Sequence, residues 1–276
     1  MTELNDFSRQ SFLGKDSSKI LAETRVAIVG LGGGGSHIAQ QLAHLGVGHY
    51  RLIDPQEIEA SNLNRIVGAT SEDVAEKNSK VKIAERLIHS IRPWAKIDVA
   101  QNEWQHAGDL LKDAHVIFGC VDGYRQRMYL ENAARRFCLP YIDIGMDVVK
   151  ISTETYAVAG QMIMTLPDGP CMKCLGFLSQ DRLDKEENAY GDAGITPQVV
   201  WTNGTLASLA VGAFVRLFTP WFKSSRDFEW LELEGNNQLV TQSRQPEYNI
   251  KGLCCHYSPE DRGDPFFDVR QITPVG

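Results

Sequence analysis

Short apolar runs alternate with amphipathic stretches along the first half of the chain. Arg25–Gly30 ("RVAIVG") is apolar after its first residue, the pattern of a strand buried on both faces. Ser36–Leu45 has helical spacing and runs into Gly46 and Gly48, which close it. His49–Asp54 follows as a second strand and Glu72–Ser90 as one long helix. Ile97–Ala100 is a third strand, and His115–Asp122 a fourth that ends in an acid. Arg125–Phe137 is helical, and Pro140–Met146 is a fifth strand.

Strand and helix in alternation predict an α/β, Rossmann-like fold, with a mainly parallel sheet and helices on both faces. Ligands of such sheets bind beyond the carboxyl ends of the strands, where Gly30, Asp54 and Asp122 fall. Past residue 150 the pattern changes. Thr153–Gly169 reads as two antiparallel strands that extend the sheet, and Ser179–Gln198 as a polar, mobile crossover. Pro197–Phe218 is an apolar helix, and Phe228–Gln245 a hairpin around Gly235-Asn236-Asn237. Ahead of the first strand, residues 7–24 form an arm with apolar positions at Phe7, Phe12, Leu13, Ile20 and Leu21. The expected organisation is one domain in three parts: the arm at 1–24, the Rossmann-like part at 25–160, and a crossover, helix, hairpin and knuckle at 161–276.

A length of 276 residues with 43% hydrophobic content is enough for one large core. The start of the chain lacks a basic segment followed by an apolar run, and no stretch reaches the roughly 18 apolar residues of a membrane span. A cytoplasmic protein with no membrane partner is expected. Six cysteines in such a chain point to metal binding or free thiols rather than a disulfide framework. A net charge of −7 argues against broad nucleic-acid binding; it fits ordinary solubility first and a partner with a basic surface second.

The glycine run Gly30-Leu31-Gly32-Gly33-Gly34-Gly35 fits G-x-G-x-x-G, a loop that brings backbone close to a phosphate at a helix N-terminus. Asp54, 24 residues past Gly30, can bind a ribose hydroxyl of NAD or of ATP. The following residues separate the two. Asn62 and Arg65 come next, then Lys80 in "KNSKV", then Asp122 and Arg127 in "CVDGYRQR". NAD has two phosphates and needs few cations. Two arginines, a lysine and an aspartate around one crevice suit a triphosphate with magnesium.

The motifs "FSRQ", "GLGGGG", "SNLNR", "NSKV", "CVDGYRQR" and "CMKC", in that order, resemble the ThiF, MoeB and HesA family of adenylating enzymes, relatives of ubiquitin-activating enzymes. The similarity runs from about residue 7 to 257. It implies that ATP is attacked at its α-phosphorus by the C-terminal carboxylate of a ubiquitin-like or sulfur-carrier protein ending in glycine. By motif position, Gly30, Gly32, Gly33 and Gly35 cradle the nucleotide and Asp54 binds its ribose. Asn62, Arg65 and Lys80 hold the phosphates, Asp122 binds magnesium, and Arg127 supports Asp122 or faces the crevice. The resemblance also implies a homodimer in which Arg9 reaches the partner's ATP. Many relatives carry a second acid two residues after the ribose aspartate; here Gln56 stands there.

Cys171 and Cys174 form a C-x-x-C knuckle suited to zinc. Where relatives supply a second C-x-x-C, this chain has adjacent Cys254 and Cys255 followed by His256. The zinc ligands are therefore Cys171 and Cys174 with both Cys254 and Cys255, or with one of them and His256; free thiols are the alternative. Cys120 and Cys138 sit in apolar contexts and are expected in the core. No cysteine falls between Leu175 and Leu253, which disfavours a thioester of the usual layout. The alternatives to carrier activation are adenylation of a peptide terminus or a modified tRNA nucleoside, or a non-catalytic nucleotide-binding subunit. Arg65, Lys80 and Asp122 together argue against the last.

Overall fold

The computed structural model describes residues 7–188, 197–222, 226–250, 254–264 and 266–272. Eight strands form one sheet: β1 (Arg25–Val29), β2 (His49–Ile53), β3 (Lys96–Ala100), β4 (Val116–Gly119), β5 (Tyr141–Lys150), β6 (Tyr156–Thr165), β7 (Phe228–Glu234) and β8 (Leu239–Gln242). Their order is β3-β2-β1-β4-β5-β6-β7-β8. The first five are parallel, and β6, β7 and β8 add antiparallel pairs. The helices are α1 (Ser17–Glu23), α2 (Gly33–Leu45), α3 (Ser71–Ala75), α4 (Lys80–Ile91), α5 (Gly108–Lys112), α6 (Tyr124–Arg136), α7 (Met172–Leu175), α8 (Gln180–Asn188), α9 (Val200–Phe218) and α10 (Gln245–Asn249).

β1 and β4, at the middle of the sheet, are buried on both faces, which is why they are apolar at every position after Arg25. Alternate residues of β1 go to opposite sides: Val26 and Ile28 pack with α2, α4 and α9, while Ala27 and Val29 pack with α6. β4 repeats the division, with Val116 and Phe118 on the first side and Ile117 on the second. Helix α2 ends as its sequence indicates: Gly46 is left-handed at φ 96°, and its N–H donates to the carbonyls of Leu42 and Ala43. None of the described helices is long and apolar enough to cross a membrane.

Several elements differ from the sequence pattern. The stretch expected as one helix, Glu72–Ser90, is two, α3 and α4, separated by a turn with Lys77 at φ 53°. The buried Asp73 carboxylate accepts from the Thr70 N–H, the Thr70 hydroxyl, the Asn78 amide and Arg86. In addition, the Ile58 N–H donates to the Asn78 carbonyl and the Lys80 N–H to the Gln56 carbonyl. These bonds replace the helical ones across the turn. Thr153–Gly169 holds a single strand, β6, because β5 runs on to Lys150 and pairs with it over the whole length. The helix expected from Ser36 begins at Gly33, and the one expected from Pro197 begins at Val200. The crossover is helical at α8, and its residues 189–196 lie outside the described residues. Cys138 is exposed rather than in the core. It takes the left-handed position (φ 55°) just past α6, where a side chain points out of the packing.

Candidate functional site

A cleft of about 1080 Å³ opens at the carboxyl ends of β1, β2 and β4. The turn between β1 and α2 forms its base. Gly30 sits at φ +89°, and a Cβ there would lie 2.3 Å from the Cys120 carbonyl oxygen. A Cβ on Gly35 would lie 1.9 Å from the Gly30 carbonyl. Only glycine permits the end of β1 to pack this closely on β4 and on the first turn of α2. Gly32 is different: nothing lies within 4 Å of a Cβ built there, so its bare backbone faces open space at the start of a 13-residue helix. That is the arrangement helix N-termini use for phosphates. Gly35 does not line the cleft; its part is to close the turn beneath.

Asp54 ends β2 and is 4% exposed. Its Oδ2 accepts from the Leu31 N–H at 2.6 Å and its Oδ1 from the Gln56 N–H at 2.8 Å, which fixes the carboxylate beside the glycine loop. Asn62 closes the short helical turn Ala60–Asn62 and is buried, its Oδ1 accepting from the Glu59 N–H. Arg65, half-buried, donates to the Ser61 carbonyl and the Asn64 side chain. Lys80 opens α4 and is 8% exposed. Its ammonium donates to the Gln56 side-chain carbonyl, and among the described residues no carboxylate pairs with it. Asp122 is exposed on the opposite wall, just past β4. A nearly buried ammonium without a carboxylate calls for an anion from elsewhere.

Arg127 lines the floor, but its charge is already engaged. It pairs with the fully buried Asp143 and donates to the Ile144 carbonyl, while the Tyr141 hydroxyl donates to Asp143 at 2.8 Å. Burial pushes the Asp143 carboxyl up, and the Arg127 guanidinium opposes that shift. Of the two roles expected for Arg127, the one facing the crevice is nearer its placement, with Asp143 rather than Asp122 as its partner. Cys120, half-buried, also lines the cleft, and burial pushes its thiol up. Arg9 is exposed on the turn Ser8–Leu13 and does not line the cleft of its own chain.

The second centre is the cysteine knuckle. The ligating atoms of Cys171, Cys174, Cys254 and His256 all lie within 4.8 Å of one another. The two sulfurs of Cys171 and Cys174 are 3.6 Å apart, and His256 Nδ1 is 3.4 and 3.2 Å from them. A tetrahedral shell with zinc–sulfur bonds of about 2.3 Å requires sulfurs roughly 3.8 Å apart. Cys255 is exposed and stands outside this group. The geometry thus favours three cysteines and one histidine over four cysteines.

The groups that hold the knuckle come from α6. Glu131 and Arg135 form a buried i,i+4 pair in α6. Glu131 accepts from the Met172 N–H and the Thr165 hydroxyl. Arg135 donates to the carbonyls of Pro167 and Gly169 and lies over the Tyr257 ring. Asn203 joins the site from far along the chain. It reaches from α9 to pack against Gly33 and lines the cleft, and only the tertiary fold brings it there.

A model of the ThiF family matches residues 7–249. The chain is 28% identical over 212 residues to the sulfur carrier protein ThiS adenylyltransferase of Escherichia coli, covering 74% of this chain and 78% of that protein. It is 27% identical over 179 residues to the SAMP-activating enzyme E1 of Haloferax volcanii, covering 63% of this chain and 62% of that protein. In fold it is similar to E. coli MccB solved with ATP, at a TM-score of 0.69 and 19% identity, over 88% of this chain and 73% of that one. MccB in complex with N-formylated MccA gives a TM-score of 0.71 at 18% identity, over 93% and 75% of the two chains. The family match spans the glycine loop, Lys80 and Asp122 and nearly all of the sheet, and the chain belongs to the ThiF family.

Proposed function

We propose that this protein is an ATP-dependent adenylyltransferase that activates the C-terminal carboxylate of a ubiquitin-like or sulfur-carrier protein. The observation that carries the reading is Lys80: a nearly buried, unneutralised ammonium facing the same cleft as the glycine loop. In this reading the triphosphate lies between the N-terminus of α2 and Lys80, with Arg65 beside it and the ribose on Asp54. Asn62 keeps the Arg65 turn in shape. One carboxylate oxygen of the carrier attacks the α-phosphorus, the bond from the α-phosphorus to the bridging β-oxygen breaks, and pyrophosphate leaves with its electron pair. The nucleophile is already ionised at neutral pH, so the step needs positioning and charge stabilisation rather than a base. No histidine lines the cleft among the described residues, which agrees with that requirement.

Asp122 would hold a magnesium ion on the opposite wall, where it would offset the triphosphate's charge. Cys171, Cys174, Cys254 and His256 would hold a structural zinc. A peptide is the second reading for the substrate, favoured by the similarity in fold to MccB solved with MccA over most of this chain. Exchange of labelled pyrophosphate into ATP tests the function. It should depend on a Gly-Gly-ending sulfur carrier and be lost when that carrier's C-terminus is amidated. Exchange driven by a short peptide and not by the carrier would shift the assignment to the second reading. Tight NAD binding without any exchange would overturn both.

A further inference from the structure

The cleft has two unlike sides. Arg65 and Lys80 come from the segment that follows β2, whereas Ile144 and Met146 of β5 and Leu206 of α9 line the other side. The cationic side suits a polyphosphate, and the apolar side suits an uncharged stretch of a second substrate. Asn203 interrupts the apolar side. It lies in the first turn of α9, is 5% exposed, and reaches the cleft where α9 packs on α2. A Cβ built on Gly33 would lie 2.8 Å from its Cγ, and one built on Gly34 would lie 3.7 Å from its Oδ1, so its amide rests on the glycine loop. The orientation of that amide is set. Its Nδ2 donates to the Val199 carbonyl at 3.0 Å, and turning it over would bring two oxygens together. Its Oδ1 accepts from no group among the described residues. An acceptor on a side chain this deeply buried calls for a donor from a ligand.

We propose that Asn203 is a specificity-determining residue whose Oδ1 accepts the N–H of the last peptide group of the substrate. The phosphates of ATP cannot satisfy this oxygen, because their own oxygens are acceptors, and the ribose hydroxyls are read as lying on Asp54. A substrate that ends in a peptide brings the missing donor. Its last N–H is separated from the terminal carboxylate by a single Cα, so one hydrogen bond at Asn203 holds the nucleophile over the first turn of α2, beside the α-phosphorus. An amide oxygen does this without adding negative charge next to the triphosphate, as a carboxylate would. The inference rests on the adenylation reading of the cleft and adds the group of the substrate that the cleft recognises: a main-chain N–H, present in a carrier tail and in a short peptide alike.

The test removes that N–H from the substrate. A sulfur carrier ending in Gly-Gly is prepared with its last linkage either as the natural amide or as an ester, which puts oxygen in place of the N–H and keeps the chain length. Pyrophosphate exchange is measured with both carriers, for the parent and for Asn203→Leu, which keeps the size of the side chain and removes the acceptor. The parent should use the ester carrier about ten-fold less well in kcat/KM. Asn203→Leu should lose a similar factor with the amide carrier and should not distinguish amide from ester. Its ATP affinity by calorimetry and its magnesium requirement should match those of the parent, and a thermal melt checks its fold. Equal use of the two carriers by the parent would overturn the proposal, whether or not the variant folds. A leucine variant that still discriminates between them by the parent's factor would also overturn it. So would one whose magnesium requirement rises, which would make Oδ1 a metal ligand instead. If neither the carrier nor a short peptide drives exchange by the parent, the adenylation reading itself fails, and this inference with it.

Discussion

Asp73 shows how much one buried carboxylate decides. It is 1% exposed, caps α3, closes the turn to α4 through Asn78, and pairs with Arg86 at 2.7 Å. The Arg86 hydrogen bonds, followed by those from Thr70 and Asn78, hold its carboxyl below the usual carboxylate range. Because the folded group is the stronger acid, its stabilisation is complete above the unfolded value of about 3.9 and is lost as pH falls below that. Asp73→Ala should lower stability by roughly 1–3 kcal/mol at neutral pH, since the part-buried hydrogen bonds from Thr70 and Asn78 lose their acceptor. Arg86 is half-exposed, so the ion pair itself is a minor part of that loss. Urea unfolding of the parent and of Asp73→Asn at a series of pH values checks the sign. The gap between them should shrink as pH drops from 5 to 3, and a constant gap would contradict this account of Asp73.

At the scale of elements, the legible parts are those whose pattern has one physical cause. β1 after Arg25 and β4 are apolar because both of their faces are covered, and the glycine run is fixed by close backbone approach at Gly30 and Gly35. The break between α3 and α4 was not legible, because Glu72–Ser90 has helical spacing throughout and only the bonds of Asp73 and the contact with residues 56–58 interrupt it. The extension of β5 past Met146 was hidden for another reason: its outer end is exposed, so burial does not pattern it. The knuckle was half legible. Cys171, Cys174, Cys254, Cys255 and His256 all stand out in the sequence, but the choice between Cys255 and His256 depends on which way two adjacent residues face. Elemental analysis should find one zinc per chain in protein purified without added metal. Cys255→Ser should keep it and His256→Ala should lose most of it. The reverse pattern would restore the four-cysteine set, and a folded, active, metal-free parent would leave ordinary thiols.

For the whole molecule, the N-terminal arm raises the question of assembly. Phe12 is 67% exposed and meets Trp221 edge-on at 5.9 Å, above an apolar groove of about 540 Å³ between the arm and helices α2 and α9. An exposed apolar surface of this kind suits the homodimer expected from the family resemblance. Arg9 lies on the same arm and away from its own cleft, consistent with an arginine supplied across an interface. Mixing tests this. Arg9→Ala and Lys80→Ala should each be nearly inactive alone, and mixed dimers should regain partial pyrophosphate exchange. In them one site keeps Lys80 and receives Arg9 from the other chain. Heterodimers that form without restoring exchange would place Arg9 outside the reaction.

In the proposed reaction a carboxylate oxygen of the carrier becomes bonded to the α-phosphorus of ATP in this cleft. Following that oxygen is the most direct test. A sulfur carrier ending in Gly-Gly, labelled with oxygen-18 in its terminal carboxylate, is incubated with the protein and ATP, and the acyl-adenylate is cleaved at its acyl carbon with hydroxylamine. Mass spectrometry should find one labelled oxygen in the AMP and none in the pyrophosphate. Unlabelled AMP, or label in pyrophosphate or phosphate, would contradict the account.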